Sequence, residues 1–113
     1  THKCPLGEVH QFDLEPLAWH MHWNKQKYPD VVENGVETPN WKLGGKPDRE
    51  YLDAAQRHLD ALVKGEVFDT DPKTGKSTLH ASAVAWNMLA LITNNYGDHL
   101  ASDMWKTQLP KPL

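Results

Sequence analysis

The chain has 113 residues, 39% apolar and 9% aromatic, which suits one domain with one modest core and excludes disorder as the default. Its 12 basic and 15 acidic residues give a net charge of −3 with the signs scattered, so no basic face exists to grip polymeric nucleic acid. No apolar run approaches the ~20 residues of a membrane span, and a single cysteine, Cys4, excludes an internal disulfide, so a cytoplasmic setting is expected, that of the host if the chain is viral.

Residues 1–11 mix Pro5, Gly7 and polar side chains without a period and read as an extended arm. Leu14, Leu17, Ala18 and Met21 then recur at helical spacing, and Pro16 suits a first turn where its missing N–H costs nothing. This predicts a helix over about 15–27, closed before Pro29. His20 and His22 on that helix point roughly 200° apart. They cannot share a metal, and they are expected to pack at its rim against Trp19 and Trp23.

From Pro29 to Pro47 turn formers dominate, so a long loop is expected between the first two helices. Within it Asn40-Trp41-Lys42 offers two uses: stacking on and hydrogen-bonding a base, or plugging the loop onto the core. Asp48 reads as the N-cap of a second helix over about 49–64, with Tyr51, Ala54, Ala55, His58, Leu59 and Leu62 on one face and Gly65 as its stop. Ser77 or Thr78 caps a third helix reaching about Tyr96, whose nearly continuous apolar run marks it as the most buried. Asn87 inside it is a buried amide that needs a partner. His58 or Arg57 across the helix pair would supply one, unless the amide positions a substrate.

After Gly97 a short helix carries Leu100, Met104 and Trp105, and a proline-rich tail fills 106–113. The expected fold is all-α, a small bundle of three main helices plus the short C-terminal one, in a single domain over 12–105.

Between the second and third helices, Glu66, Asp69 and Asp71 place three carboxylates on a connector beside a helix N-terminus that carries His80. Clustered oxygens suit a hard cation and the cation suits a polyphosphate, so magnesium is the expected cofactor. Calcium fits poorly, because an EF-hand register starting at Asp69 puts Lys73 at its fifth place and His80 where a bidentate glutamate belongs. Zinc lacks any pair of ligands four apart within one helix.

Several short strings carry a family likeness: Arg57-His58-Leu59, Gly65-Glu66, Asp71-Pro72-Lys73-Thr74-Gly75, Leu79-His80-Ala81-Ser82-Ala83 and Ala85-Trp86-Asn87, with Phe12-Asp13-Leu14, Lys27-Tyr28 and Asn40-Trp41 upstream. Together they resemble the N-terminal dATP/dGTP diphosphohydrolase domain of phages and bacteria, itself similar to all-α nucleoside triphosphate pyrophosphohydrolases. The resemblance implies a magnesium-dependent attack of water on a purine deoxynucleoside triphosphate, releasing monophosphate and pyrophosphate.

On that reading Glu66, Asp69 and Asp71 hold magnesium, and His80 orients water or a ligand. Arg57 or Lys73 neutralises phosphate charge, Asn40 and Trp41 address the base, and His58 and Asn87 line the substrate. Glu66-x-x-Asp69 and Glu50-x-x-Asp53 both have the wider group's metal-motif spacing, but the second begins near the far end of its helix, so the two are not expected to share a metal. Lys73 and Ser82 depart from the family pattern, which usually has a glutamate and a second histidine there. They motivate two alternatives: a helper that binds a nucleotide or signalling molecule without turnover, and a subunit of a helical homo-oligomer.

Overall fold

The computed structural model describes residues 6–25 and 28–97. Its centre is a pair of helices, α2 (Asp48–Val63) and α3 (His80–Asn95), which share the largest contact between elements. Tyr51, Ala90 and Leu91 are buried between them, with Trp41, Met88 and Tyr96 laid against that core. The helices run antiparallel: His58 meets His80 at one end, and at the other Asp48 accepts hydrogen bonds from Asn95 Nδ2 at 2.8 Å and Tyr96 Oη at 2.9 Å. α3 has six buried positions against two on α2, as its apolar run predicts.

Gly65 ends α2 as expected, through a Schellman arrangement in which Glu66 N–H donates to Ala61 O and Gly65 N–H to Leu62 O, with Gly65 at φ +88°. Asp48 is not the cap. Pro47 holds that position, and the Asp48 carboxylate is turned to the end of α3 instead. Asn87 is buried as predicted, but its amide donates to Ala83 O on its own helix at 2.8 Å, because His58 is already paired with His80.

The first helix, α1 (Gln11–Asn24), starts ahead of the expected position 15. Asp13 explains this: its Oδ2 accepts the His10 N–H at 3.1 Å, securing an earlier first turn and leaving Pro16 inside the helix. Leu6–Glu8 form a 3-10 turn in place of an extended arm.

The all-α expectation needs correction, because two antiparallel hairpins join the helices and the fold is mostly helical only. In the first, β1 (Val31–Glu33) pairs with β2 (Val36–Thr38). The two-residue connection is Asn34-Gly35 with φ +51° and +77°, the conformation that matches the twist of hairpin strands. With a 3-10 turn over Asn40–Lys42, it replaces much of the expected long loop.

The second hairpin replaces the acidic connector. β3 (Phe68–Thr70) pairs with β4 (Ser77–Leu79), so Ser77 and Thr78 are strand residues and Leu79 precedes α3 as its N-cap. Asp71 builds the turn by accepting the Lys73 N–H on Oδ1 at 2.8 Å. The short helix and tail predicted after Gly97 lie outside the described residues, among which no helix is long and apolar enough to cross a membrane.

Candidate functional site

A cavity of about 690 Å³ opens between the three helices, the second hairpin and the loop after β2. That volume lies within the range of small-molecule sites, roughly 300–1,000 Å³. One stripe of α2 contributes Glu50, Asp53 and Arg57, a spacing of three and four that puts them on one helix face. Asp69 of β3 and Asp71 of the turn that follows it also line the cavity. Trp23, Trp41 and Trp86 supply aromatic wall, and Lys46 and Lys76 add cations.

Three buried side-chain atoms have no hydrogen-bond partner among the described residues: His20 Nδ1, Asp30 Oδ1 and Trp86 Nε1. All three residues line this cavity. A buried polar group left unpaired costs about 1–3 kcal/mol, and all three belong to residues of this one cavity wall, although the atoms themselves are closed off from the hollow. The His20 ring also lies 5.8 Å from the Trp86 ring, so α1 and α3 present one donor-bearing aromatic wall.

Behind the cavity sits an imidazole pair. His58 Nδ1 and His80 Nδ1 are 2.8 Å apart, and ligand-capable atoms of His58, Asp69 and His80 all lie within 4.8 Å of one another. His80 is buried, and its Nε2 lies 4.0 Å from Glu66 Oε2. Burial pushes the His20 ring below the usual histidine range; the charge on His58 adds to this and Asp69 opposes it. Burial likewise lowers His58, against the pull of Asp69 and with help from His80 and Arg57.

These shifts make stability depend on pH. The unfolded chain protonates both rings near 6.5, whereas the folded chain resists until lower pH. Below that value the unfolded state binds more protons, so the stabilisation is present above 6.5 and lost as pH falls through the lowered folded values. The melting temperature is expected to drop between about pH 7 and about pH 5, with His20→Gln flattening the drop. A pH profile identical in variant and parent would contradict the assignment.

Of the residues singled out in the sequence, Asn40, Trp41, Arg57, His58, Asp69, Asp71 and Asn87 line the cavity. Glu66, Lys73 and His80 do not: Glu66 stands beside His80, Lys73 lies in the exposed turn of the second hairpin, and His80 is buried next to His58. Trp41 packs on the core, the second of its expected uses, and also lines the hollow.

The histidine pair of α1 divides as its 200° separation requires. His22 is exposed against Trp19 and Trp23, whereas His20 is buried and turned to the cavity, not placed at a rim. Glu50 and Asp53, set apart in the sequence reading, line the same cavity as Asp69 and Asp71. Asp30 and Lys76 carried no sequence signal, because only long-range packing brings them there, and Trp86 entered only as part of the Ala85-Trp86-Asn87 string.

The donors decide which cations the site can take. A cage of Glu66, Asp69 and Asp71 does not form, because Glu66 stands by His80 and outside the cavity wall. Asp69 and Asp71 do fit a magnesium that arrives with a polyphosphate, since that ion takes one or two protein carboxylates and draws the rest of its oxygens from phosphate and water.

No curated protein and no solved structure matches the chain. A family match does exist: the family described as dATP/dGTP diphosphohydrolase, N-terminal, covers residues 1–104. Because that match spans most of the chain, the chain belongs to that family.

Proposed function

We propose that the cavity binds a purine deoxynucleoside triphosphate and that the chain hydrolyses it, with magnesium, to monophosphate and pyrophosphate. The observation that carries this reading is a cavity of about 690 Å³ that gathers Asp53, Asp69 and Asp71 with Arg57, Lys46, Lys76 and Trp41. Family membership supplies the substrate class.

In this mechanism Trp41 and Asn40 take the base by stacking and hydrogen bonding, and Arg57, Lys46 and Lys76 draw in the phosphates. Magnesium, when bound, offsets negative charge on the polyphosphate. Asp69 and Asp71 would hold that magnesium at the phosphate end of the substrate, and His80 steadies His58 from behind. Water attacks the α-phosphorus, the bond from that phosphorus to the α,β-bridging oxygen breaks, and pyrophosphate leaves with the bridging oxygen. The proton of the attacking water passes to a wall carboxylate. Arg57 makes no ion pair among the described residues and so has its charge available for the leaving group.

The departures that motivated a binding-only helper do not fall on this cavity. Lys73 lies in the hairpin turn, and Ser82 is buried in α3 against a separate small pocket. Assembly remains part of the proposal, supported by Phe12 and Phe68, exposed at 80% and 63%.

The test is pyrophosphate release from each deoxynucleoside triphosphate with magnesium. Release from dATP or dGTP is expected. No release from any substrate at high protein concentration sinks the hydrolase, and tight nucleotide binding that survives EDTA without products would favour the binding helper.

A further inference from the structure

We infer that His58, His80 and Asp69 form a binding site for a first-row divalent ion such as Mn²⁺, Co²⁺ or Zn²⁺, with Glu66 holding His80 in its ligating orientation. The inference rests on the nucleotide reading only for its use in turnover. The site itself stands on the placement of the three side chains.

Two nitrogens and one carboxylate oxygen are the wrong donors for magnesium and the right ones for ions that accept imidazole. Spacing supports this. Two metal–nitrogen bonds of about 2.0–2.1 Å set their nitrogens about 2.9 Å apart at the right angle of a six-coordinate ion and about 3.4 Å apart in a tetrahedral one, and His58 Nδ1 and His80 Nδ1, hydrogen-bonded without an ion, are separated by 2.8 Å. The rings are therefore placed for one ion bound side by side, and Asp69 brings its carboxylate within 4.8 Å of both.

Three elements converge here without strain in any one of them. α2 presents His58 near its C-terminal end, α3 begins on His80, and β3 offers Asp69 on its inner side. The His80 N–H donates to Val67 O at 3.1 Å, which ties the start of α3 to the base of the hairpin and fixes the two ligands relative to each other. His58 and Asp69 line the cavity, so a bound ion would adjoin the place proposed for the polyphosphate.

Glu66 completes the arrangement. A metal-bound histidine usually donates its other ring N–H to a carboxylate or carbonyl, which fixes the tautomer and makes the ligating nitrogen more basic. His80 Nε2 faces Glu66 Oε2 at 4.0 Å, a small side-chain adjustment from that hydrogen bond. The Gly65-Glu66 string then has a physical role: the glycine ends α2 so that the next residue stands beside His80.

The test uses the full chain stripped with EDTA and titrated with Co²⁺ alone, with no nucleotide present. Expected is one Co²⁺ per chain, visible absorption bands of a nitrogen-ligated ion, and displacement by Zn²⁺ but not by equimolar Mg²⁺. Glu66→Gln, at an exposed side chain, should weaken binding about 10- to 100-fold. His58→Gln should abolish the bands, and Asp71→Asn should leave them unchanged. His80→Asn is also expected to abolish them, and His58→Gln and Glu66→Gln keep the test valid if that buried variant does not fold. No bands, or bands indifferent to His58→Gln and Glu66→Gln, would overturn the site. Because no nucleotide is added, that failure leaves pyrophosphate release as a separate question.

Discussion

Replacing Asp69 by asparagine is expected to lower pyrophosphate release from dATP or dGTP by about 10²- to 10³-fold, the usual loss when a preorganised charge is removed from beside a reacting group. Asp69 is the residue on which the readings of the site meet. It lines the cavity with Asp71, it falls within reach of His58 and His80, and its field acts on both His20 and His58. Asparagine keeps its shape and removes its charge.

The fold should survive, because Asp69 is exposed and its backbone pairing with Thr78 does not use the side chain. Stability is expected to stay within about 0.5 kcal/mol, as for surface changes generally. The measurement is steady-state pyrophosphate release by parent and variant, with thermal melting as the control. Full activity in a well-folded Asp69→Asn chain would remove the carboxylate from the mechanism.

How much of this was legible in the sequence depends on the range over which each feature is decided. Gly65 as the stop of α2 is a local matter of one residue able to hold positive φ, and it reads correctly. Burial of α3 also reads correctly, because a continuous apolar run has no solvated face to offer. The hairpins escaped for opposite reasons. Asn34-Gly35 is a strong turn signal, but strands of three residues give alternation too little length to show. In the second hairpin the carboxylates drew a functional reading, and Asp71 proves to shape the turn as well as face the cavity.

The metal question turned on distance along the chain. Searching for ligands four apart within one helix cannot find His58 and His80, which lie 22 positions apart and meet only because α2 and α3 run antiparallel. Asn87 shows the same limit from the other side. Its burial was readable, but its partner was not, since a helix carbonyl four residues back competes with any side chain across the interface. Family resemblance and packing thus select overlapping residues for different reasons: Glu66 as a presumed ligand in one, as the support of His80 in the other.

Tyr51→Ala should be the most damaging single change to stability, at about 3–5 kcal/mol, the range for deleting a large buried ring. Tyr51 is 4% exposed and sits in the core with Ala90 and Leu91, where small neighbours cannot expand to fill the space. Against a total of roughly 5–15 kcal/mol for a domain, such a loss lowers the melting temperature by about 12–40 °C at 4–8 °C per kcal/mol. Tyr51→Phe separates the ring from its hydroxyl. Tyr51 Oη accepts from Asn94 Nδ2 at 3.1 Å, and the same amide donates to Trp41 O at 2.6 Å, so Asn94 keeps a partner and the cost should be about 1 kcal/mol. Circular dichroism melts of the two variants check this. The link to function runs through Tyr51 itself and through Trp41, which rests on this core; both form cavity wall, so Tyr51→Ala should also raise KM for the nucleotide below its melting point while Tyr51→Phe leaves KM near the parent value. Equal melting temperatures for the two variants would mean that the ring contributes nothing beyond its hydroxyl, and the core would have to be centred elsewhere.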